Sequence, residues 1–113
     1  VLGLGTNGHV GFNEPPCGLD SQCRVVLLSE CTKKQNANDF SCDNNNLPKY
    51  AITLGIKEIL AAEEIHLIVT GESKSRILRS LLTALPNDNL PASWLKRHMN
   101  LYIWVDKQAM ILI

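Results

Sequence analysis

Val1-Leu-Gly-Leu-Gly-Thr-Asn-Gly-His-Val-Gly-Phe-Asn-Glu-Pro15 leads from an apolar strand, through a glycine-rich turn, to a histidine and a glutamate five residues apart. In α/β proteins such a layout brings backbone amides, an imidazole and a carboxylate to the carboxyl edge of a sheet, where these folds keep their chemistry. Val1–Gly5 reads as the tail of a buried strand. Thr6–Gln22 reads as a loop punctuated by Asn7-Gly8 and Pro15-Pro16.

Beyond that loop, Arg24–Leu28 has strand character, and a polar region from about Ser29 to Pro48 follows, interrupted by a short helix over Thr32–Phe40. The second half is more regular. Ala51–Gly55 is apolar and partly β-branched, and Ile56–Ala62 places Ile56, Ile59 and Leu60 on one helix face. Ile65–Thr70 is an apolar run typical of parallel strands covered on both faces. Gly71-Glu-Ser-Lys74 turns into a helix with Ile77, Leu78, Leu81 and Leu82 along one side. After a break at Pro86–Pro91 come Ala92–Arg97 and a strand, Leu101–Val105. Alternating strands and helices at this spacing predict an α/β fold built on a parallel sheet. There are no repeats and no linker.

With 113 residues the chain can bury one core, yet it is short for a complete α/β enzyme domain. Eleven basic residues balance eleven acidic ones, so no bulk field favours nucleic acid or an anionic membrane. No apolar run approaches the roughly 18 residues of a membrane span, and nothing resembles a signal peptide. Cys17, Cys23, Cys31 and Cys42 include no Cys-x-x-Cys pair and match no common zinc spacing, so reduced thiols in a cytoplasmic protein are expected.

Gly3, Gly5, Gly8 and Gly11 let the backbone approach a ligand closely. They fail as a dinucleotide fingerprint, because no helix follows and no acidic ribose partner is placed correctly. His9, with an ordinary pKa near 6.5, can exchange a proton at neutral pH, and Glu14 can fix its tautomer and stabilise its charged form. Equally, His9 can be a satisfied loop histidine and Asn7 the left-handed residue before Gly8. Lys74 sits beside Ser73, a candidate N-cap, in a helix's first turn. A phosphate on the amides of Gly71–Lys74 would offset its unfavourable dipole interaction, though a solvated surface lysine fits as well. His66 and His98 read as structural, and Trp94 and Trp104 as fillers of core or interface space.

Taken together, Leu2–Pro15, Leu47-Pro-Lys-Tyr-Ala-Ile-Thr-Leu-Gly55, Val69-Thr-Gly-Glu-Ser-Lys74 and Pro91-Ala-Ser-Trp-Leu95 with His98 resemble the glucosamine-6-phosphate isomerase/deaminase family. The resemblance implies a three-layer αβα, Rossmann-like parallel sheet, incomplete here, with residues 1–113 forming the carboxyl-terminal half of a single domain. Its implied reaction isomerises glucosamine or galactosamine 6-phosphate and releases ammonia. It implies that His9 helps open the sugar ring, Glu14 pairs with it, Lys74 grips the phosphate and Gly8 lines the sugar pocket. Asn7 stands at a catalytic position usually held by Asp, a departure that leans toward galactosamine substrates. An arginine that often assists the phosphate would fall near Asn38, which offers no counterpart.

The resemblance further implies that no metal or organic cofactor is needed and that a catalytic aspartate and a phosphate loop lie upstream, so this segment alone would turn over little substrate. The expected partner is a small amino-sugar phosphate, without nucleic acid or membrane, and a homo-oligomer is allowed. The rivals are a 6-phosphogluconolactonase, a non-catalytic sugar-phosphate sensor and an inactive fragment. Asn-Glu-Pro after the glycine-rich loop favours the deaminase branch.

Overall fold

The computed structural model describes residues 1–36 and 48–113, apart from the side chains of Cys31, Gln35 and Asn36. Three strands, β1 (Leu2–Gly3), β4 (Ile65–Val69) and β5 (Leu101–Val105), form a parallel sheet in the order β1-β4-β5. Leu2 pairs with Leu67, Ile65 with Leu101 and Val69 with Val105.

Strand pleating sends alternate side chains to opposite faces. Ile65, Leu67 and Val69 therefore share the inner face and are buried. They meet Ile56 and Ile59 of α2 (Ile56–Leu60), Leu78 and Leu81 of α3 (Ser75–Thr83), and Ala92 and Leu95 of the 3-10 segment Pro91–Arg97. The i, i+3 spacing in both helices puts each pair on one face. In α3 the buried side centres on Leu78 and Leu81, which leaves Leu82 nearly half exposed. The helix ends at Thr83, just before the extended Ala84 and Pro86. Among the described residues no helix is long and apolar enough to cross a membrane.

The outer face of the sheet differs from the expectation that Ile65–Thr70 is covered on both sides. Ile68 is 47% exposed, and Tyr102 and Trp104 are also open to solvent. The described residues thus supply the sheet and the helical layer on its inner face, but no layer over the outer one.

Arg24–Leu28 has strand character and Ala51–Gly55 is apolar and partly β-branched, with no partner strand assigned to either by the sequence. The observed strands, β2 (Arg24–Leu27) and β3 (Tyr50–Thr53), pair antiparallel with each other in a separate ribbon. Apolar content marks a strand but carries no information about its partner. Between them, α1 covers Glu30–Asn36, so the rest of the expected Thr32–Phe40 helix lies outside the described residues, as do Asn38 and Cys42. Cys17 is a buried free thiol and Cys23 an exposed one.

Candidate active site

Because β1 and β4 are parallel neighbours, the segments that leave their carboxyl ends emerge side by side. The first is the turn Gly5–His9, closed by bonds from the Gly5 amide to the His9 carbonyl (2.9 Å) and from the Gly8 amide to the Gly5 carbonyl (2.9 Å). A Cβ on Gly5 would lie 2.2 Å from the His9 ring, so only glycine lets the imidazole lie against this backbone. Gly8 takes the left-handed conformation, at φ 88°.

Asn7 has a different task. Its Oδ1 accepts the His9 backbone N–H at 3.2 Å and lies 2.7 Å from His9 Nδ1. A backbone amide can only donate, so the atom facing it is the amide oxygen. That same oxygen requires Nδ1 to carry the hydrogen, which leaves Nε2 of the neutral ring as the bare nitrogen. Asn7 therefore fixes the tautomer, a role expected of Glu14. Glu14 Oε1 sits 3.7 Å from Nδ1, within ion-pair range but past a hydrogen bond.

The second segment is the turn after β4. Gly71 adopts φ 90°, and its amide donates to both Asp106 oxygens, at 3.1 and 3.0 Å. Asp106 also accepts the Ala109 amide at 2.7 Å, so it ties this turn to the one after β5. The 3-10 turn Glu72–Lys74 then places Lys74 Nζ 2.6 Å from the Leu4 carbonyl oxygen. Ser73 does not cap α3; Lys74 holds that position, and no side chain bonds the helix end. The Gly71 amide is taken by Asp106 and the Lys74 amide by the Gly71 carbonyl. The expected amide cradle is thus half occupied, and the Lys74 ammonium is the stronger anion-binding element.

His9, Lys74, Gly3, Leu4, Gly5, Gly11 and Phe12 line one cleft of about 320 Å³. Gly8, expected in the pocket wall, is buried elsewhere, with Leu90 on its Cβ side and its carbonyl accepting the Ala92 amide at 2.9 Å. A larger hollow of about 510 Å³ lies beside Ser73 and Arg76, with Ile111 and Leu112, and contains no imidazole. The His9 pKa lies below its ordinary 6.5 because burial disfavours the imidazolium; Glu14 pulls it up and Lys74 adds to the lowering. At neutral pH the ring is therefore an uncharged base beside an ammonium group.

Several residues that hold this arrangement gave no signal in the sequence. Asn13 is fully buried and donates Nδ2 to the Val10 carbonyl (3.0 Å) and to the Leu54 carbonyl (2.7 Å). Its Oδ1 accepts Arg24 Nη1 at 2.9 Å, and Thr53 Oγ1 accepts the Phe12 amide at 3.0 Å. These bonds fasten the histidine loop to the β2–β3 ribbon. Glu14 Oε1 accepts hydroxyls from Ser29 (2.9 Å) and Thr32. His98 and His66 lie apart from the cleft. His98 Nε2 bonds the Ala62 carbonyl at 2.7 Å and Nδ1 accepts the Asn100 amide at 2.9 Å. His66 stacks on Tyr102, with its Nδ1 accepting the Trp104 indole N–H at 3.0 Å. Trp94 is half-buried against the core, and Trp104 stands on the open sheet face. Among the described residues, no group of three His, Cys, Asp or Glu side chains is placed to hold a metal ion.

Residues 1–104 match the family model described as glucosamine-6-phosphate isomerases/6-phosphogluconolactonase. The glucosamine-6-phosphate deaminase of Oceanobacillus iheyensis is 44% identical over 97% of this chain and 44% of its own length. Glucosamine-6-phosphate deaminase 2 of Giardia intestinalis is 40% identical over 96% of this chain and 41% of its own. Among solved structures, a monomeric glucosamine-6-phosphate deaminase superposes with a TM-score of 0.94 at 39% identity, covering 99% of this chain and 46% of that one. The 6-phosphogluconolactonase of Trypanosoma cruzi has a TM-score of 0.67 at 20% identity over 96% of this chain and 38% of its own, a likeness of fold alone. The chain spans about half the length of the curated relatives it matches.

Proposed function

Since this chain belongs to the family of glucosamine-6-phosphate isomerases and 6-phosphogluconolactonases, we propose that it carries the ring-opening and phosphate-holding side of an amino-sugar-phosphate isomerase/deaminase. Residues 1–113 are then one part, the carboxyl-terminal half, of a single catalytic domain. The substrate is glucosamine 6-phosphate, with galactosamine 6-phosphate as competitor because Asn7 stands at a position usually held by Asp. The product is a ketohexose 6-phosphate plus ammonia, as befits a cytoplasmic step of amino-sugar breakdown.

The observation that carries this reading is the shared cleft. It sets a neutral imidazole with a bare Nε2 against the Lys74 ammonium. Opening a cyclic hemiacetal removes the anomeric hydroxyl proton and delivers a proton to the ring oxygen. One imidazole can do both in turn, taking the first proton on Nε2 and returning it to the ring oxygen, provided that it begins unprotonated. Asn7 holds the ring in the orientation that this exchange needs. Glu14 offsets the charge that builds on the imidazolium, and Lys74 draws in the phosphate. After opening, the C2 proton moves to C1 while O1 gains a proton and the amine loses one, so that C1 becomes a hydroxymethyl group and C2 an imine, which water hydrolyses to ketone and ammonia. That carbon-bound proton needs a separate base, assigned by the family resemblance to an upstream aspartate outside this segment.

The test is ammonia release from glucosamine 6-phosphate by the protein, with galactosamine 6-phosphate and 6-phosphogluconolactone as competing substrates. His9→Ala is expected to lower kcat about 100-fold, whereas Lys74→Ala is expected chiefly to raise KM. A folded His9→Ala protein that kept its full rate would remove His9 from the mechanism. Lactone hydrolysis without ammonia release would move the assignment to the other branch of the family.

A further inference from the structure

The mechanism leaves unused two hydroxyls that bond Glu14, those of half-buried Ser29 and buried Thr32. Ser29 Oγ and Thr32 Oγ1 both donate to Glu14 Oε1, and they lie 3.1 Å from each other. The Thr32 amide in turn donates at 3.2 Å to the Oγ of Ser29, the residue just before α1. Thr32 is fully buried. The carboxylate oxygen nearest to His9 is therefore the one whose lone pairs are already filled from α1.

We propose that Ser29 and Thr32 are positioning residues that hold Glu14 off His9, so that the imidazole keeps its Nδ1 hydrogen on Asn7 and remains a free base at Nε2. This rests on the reading of His9 as the proton-transfer group. The geometry carries it: Nδ1 is 2.7 Å from the Asn7 oxygen but 3.7 Å from Glu14 Oε1. A direct, charge-assisted bond between imidazolium and carboxylate is stronger than one between neutral partners, and it would favour the protonated ring. A histidine locked as imidazolium at neutral pH could not take the anomeric proton. By saturating Oε1, the two hydroxyls leave Glu14 to act as a charge at a distance.

Among the described residues, the charged groups acting on His9 are Glu14 from its own loop and Lys74 from the turn after β4. On α1, Glu30 and Lys33 are paired with each other at 3.0 Å.

The experiment is titration of the His9 ring by NMR in the isotope-labelled protein, a measurement independent of turnover. Thr32→Val is expected to raise the His9 pKa by about half a unit or more, because the released carboxylate closes on Nδ1. Thr32→Ser, which restores the hydroxyl, is expected to titrate like the wild type. Glu14→Gln is expected to lower the pKa and, combined with Thr32→Val, to abolish the rise. Should valine fit poorly at this buried position, Thr32→Ala reads the same shift. An unchanged or lowered His9 pKa in folded Thr32→Val or Thr32→Ala protein overturns the proposal. Failure of the wild type to release ammonia would sink the functional reading but leave this comparison intact.

Discussion

The two faces of the parallel sheet are built from the same strands, yet they differ in almost every physical respect. On the inner face Ile65, Leu67 and Val69 are 3%, 0% and 1% exposed, packed under α2, α3 and the 3-10 segment. On the outer face Ile68, Tyr102 and Trp104 lie open beside half-buried His66. The stability of the described fold thus comes from one side of the sheet, and the candidate site sits where that side meets the carboxyl ends of the strands. Neighbouring apolar residues on one strand, Leu67 and Ile68, consequently have very unequal value.

The comparison breaks most readily at that pair. Leu67→Ala is expected to cost about 2–5 kcal/mol, by lost transfer energy and the cavity it leaves, and Ile68→Ala within about 0.5 kcal/mol. Urea denaturation of the two variants decides it; equal losses would mean that the outer face is packed in solution. A smaller effect tests the polar fastening at the strand ends. Asn13→Ala is expected to cost about 1–3 kcal/mol, since it removes the side-chain bonds to the Val10 and Leu54 carbonyls and from Arg24 at a buried position. It should also loosen the His9 loop, seen as faster amide exchange across Gly8–Phe12.

The smallest effect is one of pH. The folded state holds His9 below its ordinary pKa, so between that lowered value and about 6.5 the unfolded chain binds more protons than the folded one. Stability contributed by neutral His9 is therefore complete above about pH 6.5 and falls as the pH drops toward the folded pKa. Melting temperatures taken from pH 7.5 to 5 should show this decline, and His9→Gln should flatten its share of it. A His9→Gln curve parallel to the wild type would mean that burial does not disfavour the imidazolium.

Much of the inner layer was legible in the sequence because periodicity reports burial directly. Ile65–Thr70 and Leu101–Val105 announced β4 and β5, and the spacing of Leu78 and Leu81 announced α3. Pairing is another matter. Arg24–Leu28 and Ala51–Gly55 were visible as strands, but nothing in their composition told them to join each other antiparallel. The site divides in the same way. His9, Glu14 and Lys74 stood out by residue type, and the family resemblance gave them roles. The hydroxyls that grip Glu14 come from 15 and 18 residues away, and Asp106 reaches Gly71 across 35. Contacts at such separations follow no local period. Asn7 was read from its neighbour Gly8 as a turn residue and from the family resemblance as a catalytic one, but no spacing indicated that its side-chain oxygen would face both the His9 amide and Nδ1.

The Lys74 ammonium meets the Leu4 carbonyl across 70 residues of chain. No local segment can therefore assemble the cleft, because its two walls join only once that long loop has closed and β1 lies against β4. Occupancy of the cleft is in effect a gauge of completed folding. A small anion that bridges the two walls would act as a clasp, protecting the intact topology in proportion to its concentration.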